Sequence, residues 1–500
     1  MLLCATCLFG LEKQLGEEID ALGLKRVETI DGRVIFEGEE KDIARANINL
    51  RVAERVFILL GRFHAESFSE LFDGTYSIPW HEWIGKLDEF PVTGHSIKSK
   101  LTSIPDCQSI IKKAVVERLK LKYHISYFAE TGPEYKIRFS IMKDKVSLLL
   151  DTSGMGLHKR GYRLEANAAP LKETLAASLC ALARVRPYHT VYDPMCGSGT
   201  ILTEGAMMVK NIAPGVFRQN FAFEKWKDFD ADLFDRIYND DSQERECDYK
   251  FYGYDLNLRA VEAARANAKN AGVGDLVVIQ QRDIRDFEQP EQPAIMITNP
   301  PYGERLKPED LYEVYRTLGN RLKHAFKGGE AHVISYKEDL FREIGMRPSL
   351  KTPLYNGALD CELRKYVIFD GTMKDFRAEG GEVKTEGELR KMGEKRRFKR
   401  DRGEFNDRPR QIERDDDYDP AYELLKRRHK EFVRNQDALE RRRRREAEGE
   451  EGDRERQPRK FEKRGGDKPF NKGGKAFDRA KKPFDRKDGK KPFARKFGQK

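Results

Sequence analysis

The chain's 500 residues carry 94 Lys and Arg against 84 Asp and Glu, a formal net charge of +10, and a chain of this length suggests about three domains. The charge is unevenly placed: residues 371–500 hold 43 basic and 29 acidic side chains, net +14, which leaves 51 and 55 in the first 370 residues, net −4. The same 371–500 stretch has only 17 Leu, Ile, Val and Phe, below the roughly 20 % needed for a packed core, so a folded body and a disordered basic tail are expected.

Seven cysteines at irregular spacing exclude a disulfide framework and suit a reducing compartment. Cys4 and Cys7 form the one C-x-x-C; with no second pair at ligand spacing, and set in an apolar run, they read as part of a buried strand rather than a metal or redox site. The apolar start lacks a basic n-region and no stretch reaches 18 apolar residues, which predicts a soluble cytoplasmic protein with no membrane partner.

Residues 2–9 read as a strand and 11–22 as a helix closed by Gly23; 27–30 and 34–37 flank Asp31-Gly32 as a hairpin. A helix begins at 44–50, and 56–63 is β-rich. Helices are expected at 67–72, 78–87 and 109–121, and a strand at 89–99 ends in Lys98 and Lys100. The 109–121 helix carries Lys112, Lys113, Arg118 and Lys120, a pattern that also fits a merely solvated face. The run Phe90-Pro-Val-Thr-Gly-His-Ser-Ile-Lys-Ser-Lys-Leu-Thr-Ser-Ile-Pro-Asp within this order resembles the THUMP domain, an RNA-binding module preceded by a ferredoxin-like domain. That resemblance implies a ferredoxin-like unit at 1–55, a THUMP unit at 56–164, and RNA contact through Lys98 and Lys100.

Gly156-Leu-His-Lys-Arg-Gly-Tyr-Arg163 gathers Lys159, Arg160, Tyr162 and Arg163, cations and an aromatic able to hold phosphates and stack a base, although an ordinary loop can share this composition. An Ala/Leu-rich helix follows, opened by Pro170. In this order the two segments resemble the start of the catalytic domain in guanine-N2 RNA methyltransferases that carry a THUMP domain.

The next motif is Thr190-Val-Tyr-Asp193-Pro-Met-Cys-Gly197-Ser-Gly199-Thr, a strand running into a Gly-x-Gly turn and a helix. Glycines let ligand atoms approach the backbone, and the helix start offers free N–H groups. Alone, the turn fits a nicotinamide site equally well. The dinucleotide fingerprint, however, needs a third glycine where Leu202 stands, and the P-loop lysine is missing. Asp255 ends the next strand candidate, where a carboxylate can accept both ribose hydroxyls of an adenosine. Asp283 follows the strand at 276–280, placed for an adenine amino group or, alternatively, as a cap for 284–287. The residues between 211 and 248 form an insertion that the resemblance places at the substrate pocket.

Thr298-Asn299-Pro300-Pro301-Tyr302-Gly303 follows the apolar run 294–297, so Asn299 is expected at the C-terminal end of a buried strand, where α/β sheets bind ligands. Two prolines stiffen the loop and have no N–H to donate. The Asn299 side-chain oxygen and the Pro300 carbonyl then form a pair of acceptors suited to an exocyclic NH2, with Tyr302 as a flat face beside them. This run resembles the catalytic motif of S-adenosylmethionine-dependent amino-methyltransferases. Beyond it, 310–326 reads as a helix, 332–336 as a strand, 355–359 as a turn and 365–369 as a closing strand.

The expected architecture is α/β: a Rossmann-like class I methyltransferase domain at 165–370, preceded by α+β ferredoxin-like and THUMP domains and followed by the basic tail. The resemblance implies S-adenosylmethionine as cofactor, held by Asp193, Pro194, Gly197, Gly199, Asp255, Asp283 and Asn299, with Asn299, Pro300 and Tyr302 as catalytic residues and no metal. It implies methylation of guanine N2 in ribosomal RNA of the large subunit, by a monomer with a single such activity. Transfer RNA is the near alternative. A DNA adenine-N6 methyltransferase and a non-catalytic RNA-binding assembly factor are readings from other classes. In the tail, a charged helix at 420–448, the five cations Arg441 to Arg445, and Lys-Pro-Phe at Lys468, Lys482 and Lys491 suit sequence-indifferent contact with single-stranded RNA or a solubilising extension.

Overall fold

The computed structural model describes residues 1–163, 171–290, 294–303, 307–357 and 359–369. The features expected of the tail, and Pro170, lie outside them. The first 151 residues run β1 (Leu2–Thr6), α1 (Glu12–Ala21), β2 (Arg26–Ile30), β3 (Arg33–Glu37), α2 (Glu40–Asn49), β4 (Arg55–His64), α3 (Phe68–Tyr76), β5 (Val92–Ile97), α4 (Ile104–Tyr123), β6 (Ile137–Met142) and β7 (Lys145–Asp151). They build one mixed sheet in the order β2-β3-β1-β4-β7-β6-β5. β4 pairs with both β1 and β7, so the two N-terminal units share a continuous sheet.

β1 lies mid-sheet, which is why its residues are apolar on both faces. Leu3 and Ala5 join the main core, and Leu2 and Cys4 pack on the other side with Ile35, Phe57, Leu59 and Leu149. Cys4 and Cys7 are buried free thiols, and burial pushes Cys4 up to about 11, which keeps its thiol protonated. The sheet is strongly curled: Arg33 on β3 reaches Ser140 Oγ on β6 at 2.9 Å although three strands lie between them. The expected helix at 78–87 is only a short turn at Trp80–Glu82. Pro79 has no N–H for a helical bond, and Trp80 is instead fully buried, with its Nε1–H donating to Thr75 O at 2.9 Å.

The second half runs α5 (Glu173–Leu182), β8 (Thr190–Asp193), α6 (Thr200–Lys210), α7 (Ala231–Tyr238), β9 (Phe251–Asp255), α8 (Leu258–Asn270), β10 (Val277–Gln281), β11 (Ala294–Thr298), α9 (Pro308–Ala325), β12 (Glu330–Ser335), α10 (Glu338–Glu343), β13 (Leu350–Asn356) and β14 (Leu359–Val367). Its sheet has the order β10-β9-β8-β11-β12-β14-β13; the first five strands are parallel and the last two form an antiparallel hairpin. β11 is buried at every position, as a central parallel strand covered on both faces must be. From β8 the sheet grows outward both ways, through β9 and β10 on one side and β11 on the other. This makes the C-terminal ends of β8 and β11 the switch point where such sheets bind ligands.

The 211–248 insertion braces the two halves. Gly215 N donates to Ile48 O at 2.8 Å. Trp226 stacks on Tyr135 with centroids 4.9 Å apart. Arg218 donates to the carbonyls of Gly156, Lys159 and Met155 at 2.8–2.9 Å. No helix among the described residues is long and apolar enough to cross a membrane.

Candidate active site

Four of the predicted residues meet along the C-terminal edge of the parallel strands. Asp193 ends β8 and is 1 % exposed; its Oδ1 accepts from Thr298 Oγ1 at 2.7 Å and from Met195 N at 3.2 Å. Burial raises its pKa to about 7, against the pull of those donors. Thr298 is the residue before Asn299, so this bond fixes the end of β11 to the end of β8. Pro194 opens the turn behind it.

Gly197 and Gly199 take φ of +53° and +73°, conformations open to glycine at little cost. A Cβ on Gly199 would stand 2.9 Å from that of Ala264, whereas one on Gly197 would meet nothing within 4 Å. The turn is thus pressed against α8 on one side and open on the other. Gly197 N donates to Asp255 Oδ2 at 3.0 Å, and Asn257 N to Asp255 Oδ1 at 2.8 Å. A carboxylate has about four lone-pair sites, so Asp255 keeps capacity for two more donors. Beside it Leu256 is 64 % exposed, an apolar surface next to an acceptor pair. No side chain caps α6, so its first N–H groups remain available to an anion. An open glycine turn, a ribose-capable carboxylate and an exposed apolar wall fit an adenosine-bearing cofactor.

Asp283 sits at the neighbouring strand end but acts as a cap: its carboxylate takes Arg285 N at 2.8 Å and the Arg285 guanidinium at 2.6 Å. That hydrogen bonding holds its pKa below the usual range.

At the end of β11, Tyr302 donates its hydroxyl to Asn299 Oδ1, which orients the amide and leaves a second lone pair on that oxygen. The Tyr302 ring meets Tyr336 edge-on at 5.3 Å, its hydroxyl also lies in reach of the Asn356 and Cys361 side chains on the β13–β14 hairpin, and burial pushes its pKa up. Tyr315 supports the loop from α9, donating to Ser335 Oγ at 3.0 Å close to the Pro301 carbonyl. The sequence motif gives these supports no role, although Thr298 opens the quoted run, Tyr315 lies in the helix candidate at 310–326, Tyr336 ends a strand candidate and Asn356 falls in the predicted turn.

The predicted RNA contacts divide. Lys98, Lys100 and Lys159 are exposed, and Lys100 is paired with Glu66. Arg160 and Tyr162 are not on an RNA-facing surface: they are 1 % and 2 % exposed. Arg160 bonds the carbonyls of Leu157 and Arg51 and lies 3.5 Å from Glu204 Oε1, which also accepts from Tyr162 OH at 3.0 Å. Arg163 faces inward to Thr200 Oγ1 at 2.9 Å and to Glu173 at 3.3 Å. Gly161 makes this inward turn possible. Its φ is +107°, and a Cβ there would fall 2.0 Å from the Phe217 carbonyl oxygen. Among the described residues no group of three or more His, Cys, Asp or Glu is arranged to hold a metal.

The strand order and the chemistry of its C-terminal edge define a class I methyltransferase. Three family profiles match: a ferredoxin-like domain of the RlmL type at residues 2–57, a THUMP domain at 65–151, and an RMKL-like methyltransferase domain at 160–365. The chain is 38 % identical to the putative RNA methyltransferase YpsC of Bacillus subtilis, over 73 % of this chain and 95 % of that one. It is 36 % identical to the ribosomal RNA large subunit methyltransferase K/L of Photobacterium profundum, over 75 % of this chain but 54 % of that protein, so it spans about half the length of the K/L relatives. Among solved structures, SMU.472, a putative methyltransferase complexed with SAH, superposes with a TM-score of 0.68 at 36 % identity, over 74 % of this chain and 99 % of that one. The protein belongs to the family of THUMP-containing, RMKL-like methyltransferases, which use S-adenosylmethionine.

Proposed function

We propose that the protein transfers a methyl group to the exocyclic N2 of a guanine in RNA, with large-subunit ribosomal RNA as the substrate and transfer RNA as the nearest competitor. The observation that carries this reading is Asn299 at the end of β11, its Oδ1 oriented by Tyr302 and followed at once by the Pro300 carbonyl. Two adjacent acceptors take both protons of an amino group and turn its lone pair outward. The THUMP domain and the K/L-named relatives support RNA as the substrate class.

S-adenosylmethionine supplies an activated methyl group, so the chain's contribution is placement and electrostatics. Asp255, the Gly197–Gly199 turn and Pro194 would hold the cofactor beside Asp193, and Asn299, Pro300 and Tyr302 would hold the base, which must leave its stack to reach them. No strong general base is needed, because the proton can depart after attack. Lys98, Lys100 and Lys159 are the predicted cations on the outer surface that remain for RNA phosphates.

Mass spectrometry of nucleosides from ribosomal and transfer RNA of a deletion strain tests the reading. Loss of N2-methylguanosine from the large-subunit fraction supports it. Loss from transfer RNA alone redirects the substrate, and an unchanged guanosine profile with lost N6-methyladenine would sink it.

A further inference from the structure

We propose that Arg163 is a positioning residue for the cofactor turn, acting through Thr200. The turn packs closely on α8 at Gly199, but nothing lies within 4 Å of where a Cβ on Gly197 would stand, so packing holds it on one side alone. Polar ties must therefore fix it. On one side Gly197 N is held by Asp255, and Ser198 O accepts from Asn267 Nδ2 of α8 at 3.0 Å. The tie on the other side comes from the linker between the halves. Arg163 Nη2 donates to Thr200 Oγ1 at 2.9 Å, and Thr200 Oγ1 lies 3.2 Å from Ser198 Oγ.

Thr200 is the first residue of α6, the helix whose free N–H groups face the turn. Arg163 is itself anchored, with Nη2 3.1 Å from Leu171 O and 3.3 Å from Glu173 Oε1, and its side chain is only 11 % exposed. The linker shares the α8 support, since Tyr162 O accepts from Asn270 Nδ2 at 3.1 Å. A charged donor set this firmly governs where the Thr200 hydroxyl sits, and with it the start of α6. It would touch neither cofactor nor base.

The inference rests on the turn being the S-adenosylmethionine site. Calorimetry with S-adenosylmethionine on the full chain, with RNA affinity measured in parallel on a large-subunit ribosomal RNA transcript, tests both. Arg163→Ala and Thr200→Val are each expected to weaken cofactor binding about tenfold, as loss of a charge-assisted hydrogen bond does, and the double variant to be no worse than either. Thr200→Ser, which keeps the hydroxyl, restores binding, and RNA affinity stays unchanged in all of them. Should Arg163→Ala fail to fold, the near-isosteric Val and Ser variants at position 200 decide the matter. Wild-type binding with an indifferent Thr200→Val, or equal loss of cofactor and RNA affinity, overturns the proposal alone. A wild-type protein that binds no S-adenosylmethionine overturns the cofactor assignment and the proposal together.

Discussion

Among the described residues, the protein has two seven-stranded sheets that present their polar residues in opposite ways. In the second sheet five neighbouring strands are parallel, so their C-terminal ends lie along one edge, and Asp193, Asp255, Asp283 and Asn299 come together there from four separate stretches of chain. In the first sheet most neighbours are antiparallel, successive strand ends fall on opposite edges, and polar contacts are made across the curled sheet, as Arg33 does with Ser140. There Arg62 pairs with Glu28 and Arg55 with Asp151. A parallel sheet gathers chemistry at an edge that sequence order can predict, whereas an antiparallel sheet spreads it over a face set by curvature and pairing.

The most disruptive test of this contrast strikes the linker between the sheets. Arg160→Ala removes the ion-pair partner of the buried Glu204 carboxylate and leaves it the Tyr162 hydroxyl and the nearby Arg51, and breaking a buried pair costs about 3–5 kcal/mol. Urea denaturation should show a loss of that size. A loss under about 1 kcal/mol would be typical of an exposed pair and would return Arg160 to the surface.

Next come the strand-end residues. Asn299→Ala should lower methyl transfer about 10²- to 10³-fold, as removal of one pre-aimed polar group from a reacting centre does, while calorimetry finds the cofactor still bound. Turnover near wild type removes Asn299 from the site. Asp255→Ala should act on the other partner, weakening S-adenosylmethionine by about 1.5–3 kcal/mol, the worth of hydrogen bonds to a charged group. Unchanged cofactor affinity contradicts that role.

The same contrast explains what the sequence disclosed. The strand-end places of Asp193, Asp255 and Asn299 are legible because each ends or directly follows a strand run, and the Gly197–Gly199 turn because it links such a run to a helix, so local pattern and position in the fold coincide. Arg160 and Tyr162 were misread because their partner, Glu204, lies more than 40 residues away, and composition cannot say whether a cation faces water or a distant carboxylate. The β6–β7 hairpin went unseen because its turn uses Lys143 and Asp144 at positive φ in place of the glycine that signals such turns. Asp283 suits both readings of its strand-end position: Arg285 two residues on takes three of its carboxylate's acceptor sites, and the remaining capacity stays open to a donor.

Asp193 offers a smaller, pH-dependent test. Burial raises its carboxyl from 3.8 to about 7 in the folded state, so the folded protein holds the proton more tightly than the unfolded chain. Stability from this group is therefore complete below its unfolded pKa and is lost as pH rises through about 7. Asp193→Asn cannot titrate, and its melting temperature should gain on wild type between about pH 4 and about pH 7. A constant difference over that range means the carboxyl is already ionised in the fold.

The smallest effect separates the exposed lysines from the buried arginine. Lys98 and Lys159 are exposed, so replacing both with alanine should leave stability unchanged and weaken RNA binding only by the phosphates they neutralise. Each lost contact with a single strand makes the slope of log K against log salt shallower by about 0.7, and the change should be the same on unrelated RNAs because phosphate contacts carry no sequence information. Arg160→Ala, compared at a temperature where it remains folded, should leave the slope alone, since a side chain sealed beneath the linker neutralises no phosphate. Salt titrations of the two variants thus give opposite results: an altered slope with full stability for the lysines, an unaltered slope with lost stability for the arginine. If the arginine variant shifts the slope, the linker opens when RNA binds and its cations reach the substrate after all.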